Sequence, residues 1–191
     1  MLMAALACLR GSFCIYQGEE LGLPQAELRF EDLVDPYDIA MFPDHAGRDG
    51  GRTPMPWTHN IPNAGFSTNY KTWLPLAEAH VPLSVNLQER REDSVLSAYK
   101  DMIAWRKGED VMKYGDFYLL ETDGEIIAYT RDYEGKTILC VFNAGEAEEN
   151  FELPNEKEYT YLDHISHNAK YDESKGRIAL QPFGYALLET A

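Results

Sequence analysis

The chain has 191 residues, and its 32 acidic side chains outnumber its 17 lysines and arginines, which gives a formal net charge of −15. This length suits one medium domain or two small ones, and a hydrophobic content of 45% is typical of a globular protein, not of a disordered acidic tail. A strongly negative chain repels phosphate, so we expect no nucleic-acid partner and no membrane partner.

The first nine residues are almost entirely apolar and predict the end of a buried helix. They lack the basic start of a signal peptide, and Arg10 closes the run far short of the roughly 20 residues that a membrane span needs. Because a helix at a true N-terminus is usually exposed on one side, we expect further chain upstream of Met1.

The three cysteines, Cys8, Cys14 and Cys140, show no short paired spacing, so they predict neither a disulfide framework nor a zinc site. They are typical of small buried residues in a reducing compartment, and we expect a cytoplasmic location. The histidines are scattered, and the pair His164 and His167 falls in a turn-rich stretch. We assign the chain no metal and no cofactor.

The pattern changes near residue 108, where the net charge shifts from −4 over residues 1–107 to −11 over residues 108–191. In the first part, Gly11 is expected to stop the opening helix, and the apolar residues 13–16 predict a strand buried on both faces. Residues 17–92 hold eight of the ten prolines and predict a long, functional loop. A helix is expected over residues 94–107, with Asp93 as N-cap and Gly108 after its end.

The second part is predicted to be an antiparallel β-sandwich of short strands. Turn signals occur at Asp123-Gly124, Glu134-Gly135 and Pro154-Asn155. The strands are expected at residues 114–121, 125–131, 137–142, 148–153, 159–162, 177–180 and 185–189.

Two segments carry candidate chemistry. Tyr16, Gln17, Glu19 and Glu20 directly follow the predicted buried strand, where open sheets and barrels place their binding sites. A helix start with acidic residues in its first turn explains the same residues equally well.

The second segment, residues 47–57, combines glycines with Arg48, Arg52 and Trp57. Planar guanidinium donors suit a carboxylate or a pair of hydroxyls, and the tryptophan offers a flat face for sugar C–H groups. The alternative is an Arg–Asp bridge that pins the loop. An unrelated catalytic role for the carboxylates of Asp35, Asp44 or Asp49 is a third and weaker hypothesis.

These residues resemble the α-amylase family of glycoside hydrolases, in its α-glucosidase and oligo-1,6-glucosidase branch. The likeness is close over residues 1–107, whereas the β-sandwich matches by position and type. Gly51 is a departure, standing where several relatives carry another small residue. The matching segments are residues 10–24, 30–37, 47–57, 63–66, 73–75 and 93–96.

The resemblance implies an α+β fragment of a larger fold. Residues 1–109 would be the last β/α unit of a (β/α)8 TIM barrel (the end of helix 7, strand 8, a long loop and helix 8), followed by the antiparallel β-sandwich at 110–191. The family hydrolyses α-glucosides with retention, which needs two carboxyl groups about 5–5.5 Å apart. These follow strands 4 and 5 of the barrel, and a third stabilising carboxylate follows strand 7, so all three would lie upstream of Met1. We therefore expect no catalytic residue in this chain, and no activity from the chain alone.

By the same resemblance, Arg52 would hold the terminal glucose of an α-glucoside oligosaccharide, opposite an acidic partner from the upstream part of the family fold. Arg48 and Trp57 would also contact substrate, whereas Tyr16, Gln17, Glu19 and Glu20 would shape the pocket. Oligo-1,6-glucosidase, trehalose-6-phosphate hydrolase and a transglycosylating enzyme remain close alternatives. A non-catalytic remnant, or an accessory protein with a binding or assembly β-sandwich, is the alternative of a different class. An isolated strand at 13–16 would expose two edges, so self-association is expected.

Overall fold

The computed structural model describes residues 1–44, 47–154 and 158–190. The residues of the chain form two compact units, each with more contacts inside it than to the other. Unit 1 comprises residues 1–13 together with 101–191, and unit 2 comprises residues 14–100. This division is by contacts within the fold, so the domain boundary at residue 109 stays a prediction. Within the described ranges, no helix is both long enough and apolar enough to cross a membrane.

Unit 1 is an antiparallel β-sheet with helices packed on it. The helices of the chain are α1 (Leu2–Cys8), α2 (Pro36–Met41), α3 (Val85–Gln88), α4 (Val95–Gly108) and α5 (Asp110–Tyr114), of which α1, α5 and most of α4 belong to unit 1. The strands are β1 (Asp116–Leu119), β2 (Ile126–Tyr133), β3 (Lys136–Asn143), β4 (Glu149–Glu152), β5 (Thr160–Tyr161), β6 (His167–Asp172) and β7 (Arg177–Thr190). The main path through the sheet is β1-β2-β3-β7-β4, and β5 and β6 also pair with β7.

The long strand β7 creates the sandwich. Its first half pairs with β4 and β6, and its second half pairs with β3 and β5. Between the halves, Phe183 has a positive φ of 55° and Gly184 approaches the carbonyl of Asn168 so closely that an added Cβ would lie 2.4 Å from its oxygen. Only glycine fits there, and the chain can change direction.

Strand β3 is buried on both faces, which explains its nearly unbroken run of apolar residues. Ile138, Cys140 and Phe142 join a core that also contains α1 and α5. Leu139 and Val141 point the other way and pack with residues of β2 and both halves of β7. The predicted antiparallel β-sandwich is confirmed by this double core.

Helix α1 is held against the sheet by side chains that donate hydrogen bonds to backbone carbonyl groups at its C-terminal end. The phenol of Tyr129 donates to the Ala5 carbonyl at 3.0 Å, and Nη1 of the buried Arg131 donates to the Cys8 carbonyl at 2.8 Å. Arg106 donates to the carbonyls of Ala7 and Gly11. These cations stand at the C-terminal end of the helix, where the last carbonyls lack intrahelical partners.

Unit 2 is dominated by loops and short 3₁₀ turns, as expected for a proline-rich segment. Helix α4 begins as predicted to within one residue, but its N-cap is Ser94, whose Oγ accepts the Ser97 N–H at 3.1 Å. Asp93 instead pairs with Arg91 at 3.0 Å, so the expected Asp93 cap is wrong. Gly108 belongs to the helix itself.

Several other sequence predictions are corrected. Residues 13–16 do not form a strand, since none of the described strands pairs with them and a parallel strand needs hydrogen-bonded neighbours. The opening helix ends at Cys8, three residues before Gly11. Self-association of the chain stays a prediction.

In the sandwich, the turn at Glu134-Gly135 is confirmed, since both residues have positive φ and β2 meets β3 directly there. The connection from β1 to β2 spans residues 120–125 and is longer than a two-residue turn around Asp123-Gly124. Strand β6 was missed, and two predicted strands form the continuous β7. Asn155 lies outside the described residues.

Candidate functional site

Two loop segments of unit 2 meet to form a pocket of about 350 Å³. Its wall includes Tyr16, Gln17, Glu19 and Arg48, four of the residues predicted to bind substrate or shape the site. The segments are joined by hydrogen bonds. Gln17 Nε2 donates to the Gly51 carbonyl at 3.3 Å, and a loop residue missed by the sequence analysis, Gln25, donates from Nε2 to the Gly47 carbonyl at 2.6 Å.

The acidic pair Glu19 and Glu20 belongs to a single 3₁₀ turn, Glu19–Leu21, flanked by left-handed glycines. Glu19 Oε2 accepts the Tyr16 N–H at 3.2 Å, and Glu20 Oε2 accepts the Gly18 N–H at 2.9 Å. The two carboxylates therefore close their own turn, as the alternative of an acidic first turn predicts. Glu19 also lines the pocket, whereas Glu20 is absent from its wall.

The two candidate arginines converge on one buried carboxylate. Arg48 binds Asp35 with two parallel hydrogen bonds, Nε to Oδ2 at 2.8 Å and Nη2 to Oδ1 at 3.0 Å. Arg52 Nη2 donates to the same Oδ2 at 2.7 Å. The side chain of Asp35 is 1% exposed, that of Arg52 28% and that of Arg48 68%. The Arg–Asp bridge that pins the loop is thus present, and it leaves other guanidinium donors free to face solvent or a ligand.

Two further buried carboxylates, those of Asp49 and Asp38, hold the same loop in place. Asp49 Oδ2 accepts the backbone N–H groups of Val34 and Asp35 at 2.7 and 2.8 Å. Asp38 accepts the N–H groups of Arg48 and Asp49, each at 2.8 Å. Backbone donors therefore use most of these oxygens, and the loop is held at both ends of its Arg-Asp-Gly-Gly-Arg run.

The glycines of this run serve the packing of the loop. A Cβ on Gly47 would lie 1.2 Å from Asp38 Oδ1, and one on Gly50 would lie 2.5 Å from the Ala26 carbonyl oxygen. By contrast, a Cβ on Gly51 would meet only Tyr16 Cε1 at 3.6 Å, an ordinary contact. The departure from the family pattern at Gly51 is therefore compatible with the geometry.

The electrostatics disfavour acid catalysis by Asp35. The Arg48 guanidinium, helped by the Tyr37 N–H and by Arg52, lowers the pKa of Asp35 to about 2. Such a carboxyl group is ionised at neutral pH and has no proton to donate. Asp35 and Asp49 hold the loop and are poor candidates for the independent catalytic role considered above.

Trp57 is half-exposed and lies outside the pocket wall, although its backbone N–H is fixed by the Ala64 carbonyl at 2.9 Å. Arg52 is likewise not part of the wall; its guanidinium group pairs with Asp35 at 2.7 Å and with Asp49 at 3.7 Å.

His80, which the sequence does not single out, is buried in the pocket wall. Its Nε2 lies 2.7 Å from the Pro24 carbonyl and its Nδ1 lies 3.4 Å from Thr53 Oγ1. No local signal marks His80, whereas Asp35 directly before Pro36 is a helix N-cap signature that could have been recognised. Across the described parts of the chain, no group of three or more His, Cys, Asp or Glu side chains is arranged to hold a metal ion.

Family models match nearly the whole chain. The alpha amylase catalytic domain matches residues 1–115, and the maltogenic amylase C-terminal domain matches residues 117–187. A probable alpha-glucosidase of Rhizobium meliloti is 42% identical over 81% of this chain and 28% of its own length. An oligo-1,6-glucosidase of Bacillus cereus is 31% identical over 96% of this chain and 36% of its own length.

Solved structures agree with this assignment. An alpha-glucosyl transfer enzyme superposes over 100% of this chain and 35% of its own, with a TM-score of 0.92 and 38% identity. The trehalose-6-phosphate hydrolase of Bacillus licheniformis covers 100% of this chain and 38% of its own, with a TM-score of 0.86 and 26% identity. The chain thus spans about a third of the length of these relatives. It belongs to the α-amylase family of glycoside hydrolases and corresponds to a C-terminal portion of its members.

Proposed function

We propose that this chain is the C-terminal part of a retaining α-glucosidase and that its loops supply one wall of the pocket for a terminal α-linked glucose. The observation that carries the proposal is the pocket in which Tyr16, Gln17, Glu19 and Arg48 meet. Its volume of about 350 Å³ lies at the lower end of the range for small-molecule sites, and its polar side chains suit hydroxyl groups.

The buried bridge supports a positioning role for Asp35. It fixes the guanidinium groups of Arg48 and Arg52 in planar, charge-assisted hydrogen bonds. The donors that remain on each arginine can then bind vicinal hydroxyls without a further loss of side-chain freedom. Arg48, which lines the pocket, is the direct contact, and Arg52 supports it from outside the wall by holding Asp35.

The catalytic carboxyl groups of the proposed enzyme come from outside this chain. Retention requires a nucleophile and an acid/base about 5–5.5 Å apart. Asp35, Asp38 and Asp49 are buried, bind arginines or backbone N–H groups, and lie outside the pocket wall, so they do not face the proposed ligand. The chain alone should leave 4-nitrophenyl α-glucoside unhydrolysed. The odd number of cysteines without a short paired spacing supports a cytoplasmic location.

Glucoside binding can be tested on the 191-residue chain by ¹H–¹⁵N NMR titration with maltose and isomaltose. We expect weak, saturable shifts confined to the amides of residues 16–25 and 47–55. Arg48→Ala should weaken the binding, whereas Arg29→Ala, at an exposed arginine outside this pocket wall, should not. Shifts that map to the β-sandwich would support the accessory binding module instead, and hydrolysis by the chain alone would contradict the assignment of catalysis to other residues.

A second candidate reaction is transfer of the glucosyl group to a sugar hydroxyl in place of water. It is favoured by the 38% identity to a structure described as an alpha-glucosyl transfer enzyme. Product analysis of the catalytically complete enzyme at high maltose concentration separates the two reactions. Hydrolysis yields glucose alone, and transfer yields trisaccharides as well. Trehalose 6-phosphate is the less suitable ligand, because its phosphate group calls for several basic side chains. Arg48 is the only permanently charged basic residue in the described pocket wall.

A further inference from the structure

Two cysteines that are distant in the sequence meet in the core of unit 1. Cys8 is the last residue of α1 and Cys140 lies in the middle of β3. Both are fully buried in the same apolar cluster, and both are free thiols. The proposed glucoside pocket uses neither of them.

The hydrogen bonds of α1 bring the two cysteines to the same part of the core. Tyr129 is the cross-strand partner of Cys140, and its hydroxyl donates to Ala5 of α1 at 3.0 Å. One turn further along the helix, Arg131 donates to the Cys8 carbonyl at 2.8 Å. Because Tyr129 and Arg131 lie on the same face of β2, they hold the end of α1 beside β3, where Cα atoms of the two elements come within 8 Å. Cys8 and Cys140 therefore lie in one buried cluster at the place where α1 packs on β3.

We propose that Cys8 and Cys140 are a redox modification site, which a peroxide converts to a reversible disulfide that ties α1 covalently to the sheet. In the first step, one thiol sulfur attacks hydrogen peroxide. An S–O bond forms, the O–O bond breaks, and sulfenic acid and one water are produced. In the second step, the other sulfur attacks the sulfenic sulfur, an S–S bond forms, and the oxygen leaves as a second water. Two thiols are oxidised for one peroxide reduced, and the thiol protons end in the two waters.

Burial sets the rate of this reaction. It raises the pKa of the Cys140 thiol, and the neighbouring Cys8 raises it further, so the reactive thiolate is scarce. The pair is therefore slow to react with the first peroxide, but the sulfenic acid has a second sulfur already beside it. Formation of the disulfide should then outpace further oxidation to sulfinic acid.

The test uses the complete 191-residue chain carrying Cys14→Ser, because Cys14 is exposed and would otherwise form disulfides between molecules. The chain is treated with hydrogen peroxide, alkylated and digested with trypsin without reduction. Cys8 lies in the peptide of residues 1–10 and Cys140 in that of residues 137–157, so the disulfide gives one linked peptide. The same treatment in concentrated urea is the matched control, since it separates the thiols.

We expect the linked peptide to form in the folded chain and to disappear with dithiothreitol. The ratio of linked peptide to sulfinic products should be at least about tenfold higher in the folded chain than in the urea control. The oxidised chain should also show a thermal midpoint raised by several degrees, because the disulfide closes a long loop of the unfolded chain. Sulfinic acid at either cysteine without the linked peptide would overturn the proposal. So would two thiols that stay reduced in the folded chain at peroxide concentrations that oxidise them in urea.

Discussion

Replacing Arg131 by methionine should loosen the first helix from the β-sheet and destabilise unit 1. The Arg131 side chain is fully buried, and it donates to the carbonyls of Cys8 and Gly115 at 2.8 Å each and of Asp116 at 3.2 Å. Methionine keeps much of the apolar volume of the side chain but leaves these carbonyls without their cationic donor.

The magnitude follows from the two shorter bonds. Hydrogen bonds to a charged group contribute about 1.5–3 kcal/mol each, so the gross loss is about 3–6 kcal/mol. Burial of the guanidinium, which lowers the pKa of Arg131, is itself unfavourable and offsets part of this loss. We expect the free energy of unfolding to fall by about 2–4 kcal/mol.

Urea unfolding followed by circular dichroism measures this difference. The matched control is Arg10→Met, which removes the same charge from an arginine that is 65% exposed and 3.7 Å from Asp116. The control should change stability by no more than about 0.5 kcal/mol. Arg131→Lys should resemble Arg131→Met, because one ammonium group cannot reach all three carbonyls. A loss below about 1 kcal/mol in Arg131→Met, or one equal to that of the control, would refute the reasoning.

Three further outcomes are expected. Asp35→Asn should flatten the acid dependence of the thermal midpoint: the lowered pKa of Asp35 stabilises the folded chain above about pH 4, and this contribution is lost as pH falls towards about 2. The thermal midpoint is measured by tryptophan fluorescence between pH 4 and pH 2. A variant whose midpoint falls with pH as steeply as that of the wild type would contradict this expectation. Gly47→Ala should disrupt the pinned loop and speed its cleavage in limited proteolysis, whereas Gly51→Ala should behave like the wild type, and equal cleavage of the two variants would disprove the steric argument. Burial raises the pKa of Tyr185 to about 12, so its contribution to stability is present below about pH 10 and is lost as pH rises towards 12. Burial also raises the pKa of Tyr129, so alkaline titration at 295 nm should show a late component that Tyr185→Phe reduces by one tyrosine, and an unchanged amplitude in the variant would argue against this assignment.

Local patterns in the sequence determined much of the β-sandwich. The apolar run of β3 and the Glu134-Gly135 turn define the β2–β3 hairpin without help from the rest of the fold, because an apolar run and a positive φ are properties of a few adjacent residues. Strand β6 was missed since the polar sequence of residues 167–172 carries no such pattern, and β7 was divided in two because Pro182 and Gly184 usually mark a turn.

Long-range contacts decided the remainder. An apolar run such as residues 13–16 becomes a strand only where neighbours supply hydrogen bonds, and the described strands leave it unpaired. The sequence singled out Arg48 and Arg52 but left open whether they bind a ligand or pin the loop. Both arginines bind the buried Asp35, which lies 13 residues before Arg48 and 17 residues before Arg52 in the sequence. These contacts show that the two arginines hold the loop in place. The sequence by itself therefore determined the family and the candidate residues, since both follow from local motifs. Only the tertiary structure decided which charges are buried together, because that depends on how distant segments fold onto one another.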